Sequence, residues 1–432
     1  MESSTIALII IGAMIVLYIT DWIPIATTSI VGCLLLAMFG VISPRDALSG
    51  FGNDIVFLIV GMVVVGDALF ETGVASLIGK FIISLVGTNE KAFIGALILV
   101  IIPISAFLSN TATVAMTLPI AASAIAASEG KLKKKDTYMI IGLTSVVGGG
   151  LTLVGSTPQL IAQGHLLETL EGSYGYIGFF ELSLVGLPII ILLVLYVMTF
   201  GHKLKKKVFN FPEVEDFVPG KQQPNVVKPG ATPKDIFKMI ISVAVLVFCV
   251  FGFIVGFWSL GTVAMVGATI CVVTGCISQR TVFQKMNWTT VIIMGCSFGV
   301  AAGLDQSGAG ALIAQSMINL LGDSISPWLL CATLALAAVI FTNFMSSTAT
   351  ASLLIPIAAI VAIEMDYNVK GVLMSVAIAT NIGYATPIST PPITMTLVGG
   401  YRFLDYVKFG GLFNIMAYLL AVLLFPLVLN LY

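Results

Sequence analysis

Residues 109–113 read Ser109-Asn110-Thr111-Ala112-Thr113, and the chain continues six residues further on with Pro119-Ile120. Residues 346–350 read Ser346-Ser347-Thr348-Ala349-Thr350, followed at the same spacing by Pro356-Ile357. The copies lie 237 positions apart, each a small polar island inside a long apolar run. Polar backbone and hydroxyls at membrane depth are costly unless they line a protein-enclosed or water-filled cavity. Interruptions at corresponding positions of two halves point to the binding site of a transporter.

The surrounding composition demands a membrane. Of 432 residues, 58% are hydrophobic and only 9% charged, and mean hydropathy is +1.08; a soluble domain carries about a quarter charged residues. Apolar runs of about 18 residues or more recur, the signature of an all-α polytopic membrane protein. The 42 glycines suit close helix packing and unwound segments. Cys33, Cys249, Cys271, Cys276, Cys296 and Cys331 sit in apolar runs without CxxC spacing and read as small buried hydrophobes. Met1-Glu2-Ser3-Ser4 carries no basic region and no cleavage site follows, so residues 6–19 read as a retained span.

Spans are expected near 5–20, 24–42, 53–70, 137–166 and 176–200, and again near 236–257, 259–278, 287–304, 370–398 and 409–430. Stretches 73–86 and 309–321 read as short interfacial helices. Gly148-Gly149-Gly150 and Gly155-Ser156-Thr157-Pro158 interrupt span 137–166, while Pro387 and Thr390-Pro391-Pro392 interrupt 370–398. Segment 208–233, polar and proline-rich, is a linker. Leu69-Phe70-Glu71-Thr72-Gly73 echoes Leu304-Asp305-Gln306-Ser307-Gly308, and Ser156-Thr157-Pro158 echoes Ser389-Thr390-Pro391. With the islands, these landmarks keep one order in both halves, which argues for duplication.

If the basic loops are cytoplasmic, all but Arg45 and Lys370 of the twenty Lys and Arg fall on that side. Both termini then face outward, with ten full spans in the plasma or inner membrane. The arms around each island have about seventeen residues, roughly 25 Å, short for a core of about 30 Å. Re-entrant hairpins therefore fit better than pairs of spans. Five spans separate the islands, so the repeats are inverted and the hairpin tips can meet near the midplane. Tip amides favour an anion. Tip carbonyls, hydroxyls and the Asn carboxamide offer neutral oxygens to a small cation such as Na⁺. No Lys or Arg is expected at mid-depth, and Asp67, Glu71 and Asp305 fall near span ends, so Na⁺ is preferred to H⁺ as the coupling ion. The lysine clusters read as topology signals.

Two Ser-Asn-Thr-type tips with two Thr-Pro unwound spans resemble the divalent anion–sodium symporter family, over residues 24–425. The resemblance implies a homodimeric secondary active transporter of small divalent anions, C4-dicarboxylates such as succinate first and sulfate second, working by an elevator motion. The scaffold would comprise 1–91 and 234–325. The transport parts would be 92–207 (hairpin 92–128, broken helix 137–166) and 326–432 (hairpin 327–363, broken helix 370–398), with 208–233 as cytoplasmic linker. It implies an anion site of Asn110, Thr111, Ser346, Ser347, Thr348, Thr390 and Pro391. A first Na⁺ site would use Ser105, Ser109, Asn110 and Gly155, and a second Thr342, Met345, Ser347 and Ser389. The chain departs from the family pattern at Ser347 and Ile393, where Asn is usual, and at Gln159. A Na⁺-independent exchanger and an anion channel are the alternatives. No nucleotide loop, catalytic dyad or metal-ligand motif stands out, and no nucleic-acid partner is expected.

Overall fold

The computed structural model describes the chain except residues 1, 21, 75–88, 129, 171, 213–232, 322–324 and 431–432. Residues 75–86 of the expected interfacial helix at 73–86 and nearly all of the linker lie outside the described residues. What is described is helical, without strands.

The first half runs α1 (Ser3–Thr20), α2 (Ile25–Met38), α3 (Pro44–Ser49), α4 (Asp54–Glu71), α5 (Glu90–Phe107), α6 (Asn110–Ala127), α7 (Lys134–Gly149), α8 (Thr157–Gly164), α9 (Ser183–Met198) and α10 (Phe200–Val208). The second half follows with α11 (Pro233–Val255), α12 (Leu260–Val273), α13 (Gln279–Lys285), α14 (Trp288–Gln306), α15 (Ala309–Leu321), α16 (Pro327–Phe344), α17 (Ser347–Glu364), α18 (Val369–Thr380), α19 (Pro391–Thr394) and α20 (Phe403–Val428). Eight helical stretches among the described residues are long and apolar enough to cross a bilayer.

Helices occur in each expected span region, but only those near 5–20, 53–70, 236–257, 287–304 and 409–430 are long and apolar enough to cross a bilayer, with the bent pair near 183–208 a sixth. α2 and α12 keep only 14 residues each, about 21 Å, because Gly40 and Gly275 follow them in the left-handed region at φ +73° and +71°. Such a residue closes a helix by capping its last carbonyls, as Val41 N does on Leu36 O (2.9 Å) and Cys276 N on Cys271 O (2.9 Å). Gly73 and Gly308, at φ +87° and +72°, stop α4 and α14 in the same way. The span expected at 176–200 begins only at Ser183 and turns by 56° at Thr199 into α10.

The helices flanking the two islands, α5, α6, α16 and α17, have 18 residues each, about 27 Å, and α5, α16 and α17 are long and apolar enough to cross a bilayer, so length does not by itself make them re-entrant. Leu108 and Met345 are extended (φ −118°, ψ 162°; φ −132°, ψ 176°), which ends the first arm of each. α17 restarts under Ser346, whose side chain accepts from Ala349 N at 3.2 Å. α7 fails at its glycine run; α8 restarts from Ser156, with Gln159 Oε1 accepting from Ser156 N at 3.1 Å. Ahead of Pro391, Thr390 is extended (φ −149°, ψ 142°), as a residue preceding proline prefers.

Two groups of helices can be traced by their packing, joined to each other, where α14 lies on α17, as extensively as α14 is joined to α3. α4 packs on α12, α12 on α11, and α14 on α2 and α3. In the other group α5 and α6 pack on α7, α16 and α17 on α18, and α9 and α16 on α20. At Gly61 a Cβ would stand 2.5 Å from the Ala264 backbone, so α4 and α12 touch main chain to main chain. The groups meet where α14 and α15 lie on α17 and where α4 lies on α8. There the ring of Phe298 covers Gly164. Apolar stripes on α9 (Leu187, Ile191, Leu195) and α20 (Leu419, Leu423, Leu427) stay exposed, as a lipid-facing surface requires.

Ion pairs join elements within a group: Lys285 with Glu71, Lys370 with Glu181, and Lys205 with Glu90. Lys205, from a cluster read as a topology signal, has a side chain only 1% exposed. Leaving one partner of a buried pair uncompensated costs about 3 kcal/mol. Glu90→Ala is therefore expected to lower the melting temperature of the purified protein by several degrees, while Lys203→Ala, on the helix of Lys205 but exposed, leaves it unchanged.

Candidate functional site

Both tips and both unwound segments open on one cavity of about 350 Å³, within the range of small-molecule sites. Its wall carries Ser109, Asn110 and Thr111 of tip one and Ser346, Ser347 and Thr348 of tip two. Gly155, Ser156 and Thr157 line it from one unwound segment, Asn381, Thr390 and Pro391 from the other. All seven residues expected to hold an anion line this cavity. Among the described residues, no charged side chain does. The opposite wall is Ile25, Ile59, Met62 and Ile293, with Asn287, Thr289 and Thr290 at the start of α14.

Around tip one, Ser105 Oγ lies 2.7 Å from the Asn110 carboxamide, 2.8 Å from Ser145 O and 2.9 Å from Ser145 Oγ. Ser145 Oγ donates to Asn110 O at 2.9 Å. The terminal carboxamide atom beside Ser105 Oγ is also 3.2 Å from both Gly155 O and Ser145 O. Ser105, Asn110 and Gly155, three of the four residues expected at a first cation site, thus converge. Ser109 stays on the exposed tip, its carbonyl taken by Thr113 N at 3.0 Å. The packing leaves no slack. A Cβ at Gly149 would stand 2.7 Å from Asn110 Nδ2 and 2.8 Å from Gly155 O. Gly149→Ala is accordingly expected to push Asn110 aside and lower transport by about tenfold, some 1.4 kcal/mol, in a protein that still purifies as a folded species.

Around tip two, Thr342, Ser347 and Ser389 come together. Ser347 N donates to Ser389 O at 3.3 Å. Ser389 Oγ donates to Gly383 O, with Thr386 O at 3.0 Å, and a Cβ at Gly383 would meet Thr342 Cγ2 at 2.5 Å. Met345 is buried beside them at the tip. Thr342 Oγ1 and Thr390 Oγ1 are buried with no hydrogen-bond partner, as is Thr144 Oγ1. Buried hydroxyls are ordinarily satisfied; among the described residues these three are not, and of them Thr390 lies on the cavity wall.

The halves share one tether: Thr152 Oγ1 donates to Ala106 O, and Thr386 Oγ1 to Asn343 O at 2.7 Å. Each fixes an unwound segment to the last turn before a tip. Asn343 Oδ1 also accepts from Ala385 N (3.0 Å) and Asn414 Oδ1 from Tyr384 N (2.8 Å), satisfying unwound backbone. Ser156 Oγ donates to Asn381 Oδ1, joining the two segments beside the cavity.

Comparison with known proteins now bears on the whole chain. A family model described as citrate transporter, CitMHS, matches residues 15–371. The chain belongs to the citrate transporter family. The match supports the resemblance to the divalent anion–sodium symporter type. The chain is 25% identical over 412 residues to the sodium-dependent dicarboxylate transporter SdcS of Staphylococcus aureus (strain USA300), covering 87% of this chain and 76% of that one. The protein of the same description from Staphylococcus saprophyticus is 24% identical over 408 residues, with the same coverage. Among solved structures, the YdaH transporter of Alcanivorax borkumensis superposes with a TM-score of 0.50 at 14% identity, over 91% of this chain and 87% of that one; this likeness concerns the fold alone. Family membership and the apolar helices make this chain a multi-pass membrane transporter.

Sequence reading missed Ser145, Asn381 and the α14 wall. Ser145 lies one turn before the glycine run and Asn381 directly after the last turn of α18, so polarity next to a break was the available signal.

Proposed function

We propose that this citrate-transporter-family member carries small divalent anions, C4-dicarboxylates such as succinate first, by Na⁺-coupled symport. The observation that carries the reading is the single uncharged cavity walled by both tips and both Thr-Pro segments. An anion there is held by amides, hydroxyls and the Asn110 carboxamide, and a cation beside it offsets its charge. Ser105, Asn110 and Gly155, with Ser109 at the rim, supply hard neutral oxygens at one end. Thr342, Met345, Ser347 and Ser389 do so at the other. The names borne by the Staphylococcus relatives support the same substrate class and ion.

The cavity lies between the two helix groups, so its contents can be carried if one group slides along the other. The scaffold would be 1–91 and 234–325, and the moving part 92–207 and 326–432. The Lys285–Glu71, Lys370–Glu181 and Lys205–Glu90 pairs, each within one group, support this elevator reading. With basic loops cytoplasmic, both termini would lie outside and the repeats would be inverted. A homodimer would hold the scaffold still.

Uptake of labelled succinate into proteoliposomes, with and without an inward Na⁺ gradient, tests this. Uptake that rises with Na⁺ and is competed by unlabelled dicarboxylate is expected. Competition by sulfate alone would select the oxyanion reading, and uptake that needs only internal dicarboxylate would select exchange.

A further inference from the structure

Helix α10 leaves α9 at 56° and carries two contrasting faces. Gly201 and Lys205 are buried and Val208 is half-buried, while Phe200, Lys203, Lys206 and Lys207 are exposed. With 3.6 residues per turn these two sets fall on opposite sides of the helix. Lys205 is the one lysine on the inner side, and Glu90 neutralises it there. Among the described residues no ion pair takes up Lys203, Lys206 or Lys207.

A topology signal needs only charge in a loop. Here the charge is fixed on an ordered helix at the edge of a lipid-facing surface. The exposed stripe of α9 (Leu187, Ile191, Leu195) continues through Thr199 to Phe200, and Lys203 follows within one turn. The start of α20 extends the same surface. Tyr196 Oη donates to Phe409 O at 2.7 Å, and the Phe409 ring lies 5.3 Å from that of Phe209, just beyond α10. Arg402, Phe403, Leu404, Val407 and Lys408 are exposed there. Ile415, Leu419 and Leu423 continue the exposed line from Lys408 along α20. Asp405 is buried, and its Oδ2 accepts from Arg402 N at 2.8 Å, so the acid of this turn is engaged by the helix start rather than by a surface cation.

Exposed apolar side chains interleaved with unpaired cations suit the boundary between acyl chains and headgroups. The rings enter the boundary, and long lysine stems carry their charge to phosphate level. Each such cation adds attraction to an anionic leaflet. We propose that α10 and the first two turns of α20 form a docking surface for anionic phospholipid headgroups, held by Lys203, Lys206, Lys207, Arg402 and Lys408. The buried Lys205–Glu90 pair keeps α10 turned with its other lysines outward. The inference does not depend on the substrate or the coupling ion.

The full-length protein in nanodiscs of phosphatidylcholine, with or without phosphatidylglycerol, tests it by thermal melting and by the lipid retained on extraction. Phosphatidylglycerol should raise the melting temperature, and molar salt, which cuts the Debye length to about 3 Å, should abolish the rise. Retention from mixed discs should favour phosphatidylglycerol by about tenfold. The double variant Lys203→Gln, Lys207→Gln should melt like wild type in phosphatidylcholine alone but lose the rise and most of the preference. The double variant Lys131→Gln, Arg280→Gln, which removes exposed cations elsewhere, should keep both. If the α10 double is unstable in phosphatidylcholine alone, Arg402→Gln with Lys408→Gln replaces it, with the same expectation. Wild type indifferent to phosphatidylglycerol, a variant of this surface that keeps the full preference, or equal losses in the Lys131, Arg280 double would overturn the proposal.

Discussion

Asn110→Ala is expected to lower Na⁺-driven succinate uptake by about 100-fold, close to 3 kcal/mol. The substitution takes away a carboxamide that touches the Ser105, Ser145 and Gly155 oxygens and also reaches the cavity. Hydrogen bonds to charged groups are worth about 1.5–3 kcal/mol each, and this side chain serves both an anion and a cation shell. Stability should change little. α6 takes no side-chain cap at its start, and Ser105 keeps Ser145 as a partner. Uptake measured beside thermal melting separates the two effects: a large loss of uptake with an unchanged melt supports the site, and parallel losses would assign Asn110 to the fold.

Thr342→Val should raise the Na⁺ concentration for half-maximal uptake by about tenfold, again some 1.4 kcal/mol, while leaving the protein as stable as before or more so. Thr342 is wholly buried and its hydroxyl has no partner. An unsatisfied hydroxyl costs about 1–3 kcal/mol when it has no role, so replacing it with a methyl group of similar shape relieves the fold. Only a ligand that binds there makes the hydroxyl favourable. The two roles therefore predict opposite pairings of stability and function. A raised melting temperature with unchanged Na⁺ dependence would remove Thr342 from the cation shell.

Much of this arrangement was legible because it departs from what a membrane helix tolerates. Serines and threonines in apolar runs, glycine triplets and Thr-Pro pairs announce themselves in a sequence with so few charges, and they fall at the tips and unwound segments. The places that resisted reading carry no such departure. Ser145 is one polar residue inside a regular helix, and only folding brings it to Ser105, forty residues away in sequence. Lys205 is one lysine among several, and its burial depends on the turn at Thr199, which swings α10 back onto Glu90. Spans 24–42 and 259–278 looked longer than α2 and α12 because hydropathy does not register the backbone reversal that Gly40 and Gly275 impose.

The central claim is that one anion is held by both tips and both Thr-Pro segments, with Na⁺ beside it. A structure of the protein in Na⁺ and succinate tests this most directly. The account predicts density for one dicarboxylate in contact with Asn110–Thr111 on one side and Ser346–Thr348 on the other, lost when Na⁺ is replaced by K⁺. Succinate bound elsewhere, held by one tip alone, or indifferent to the cation would contradict it.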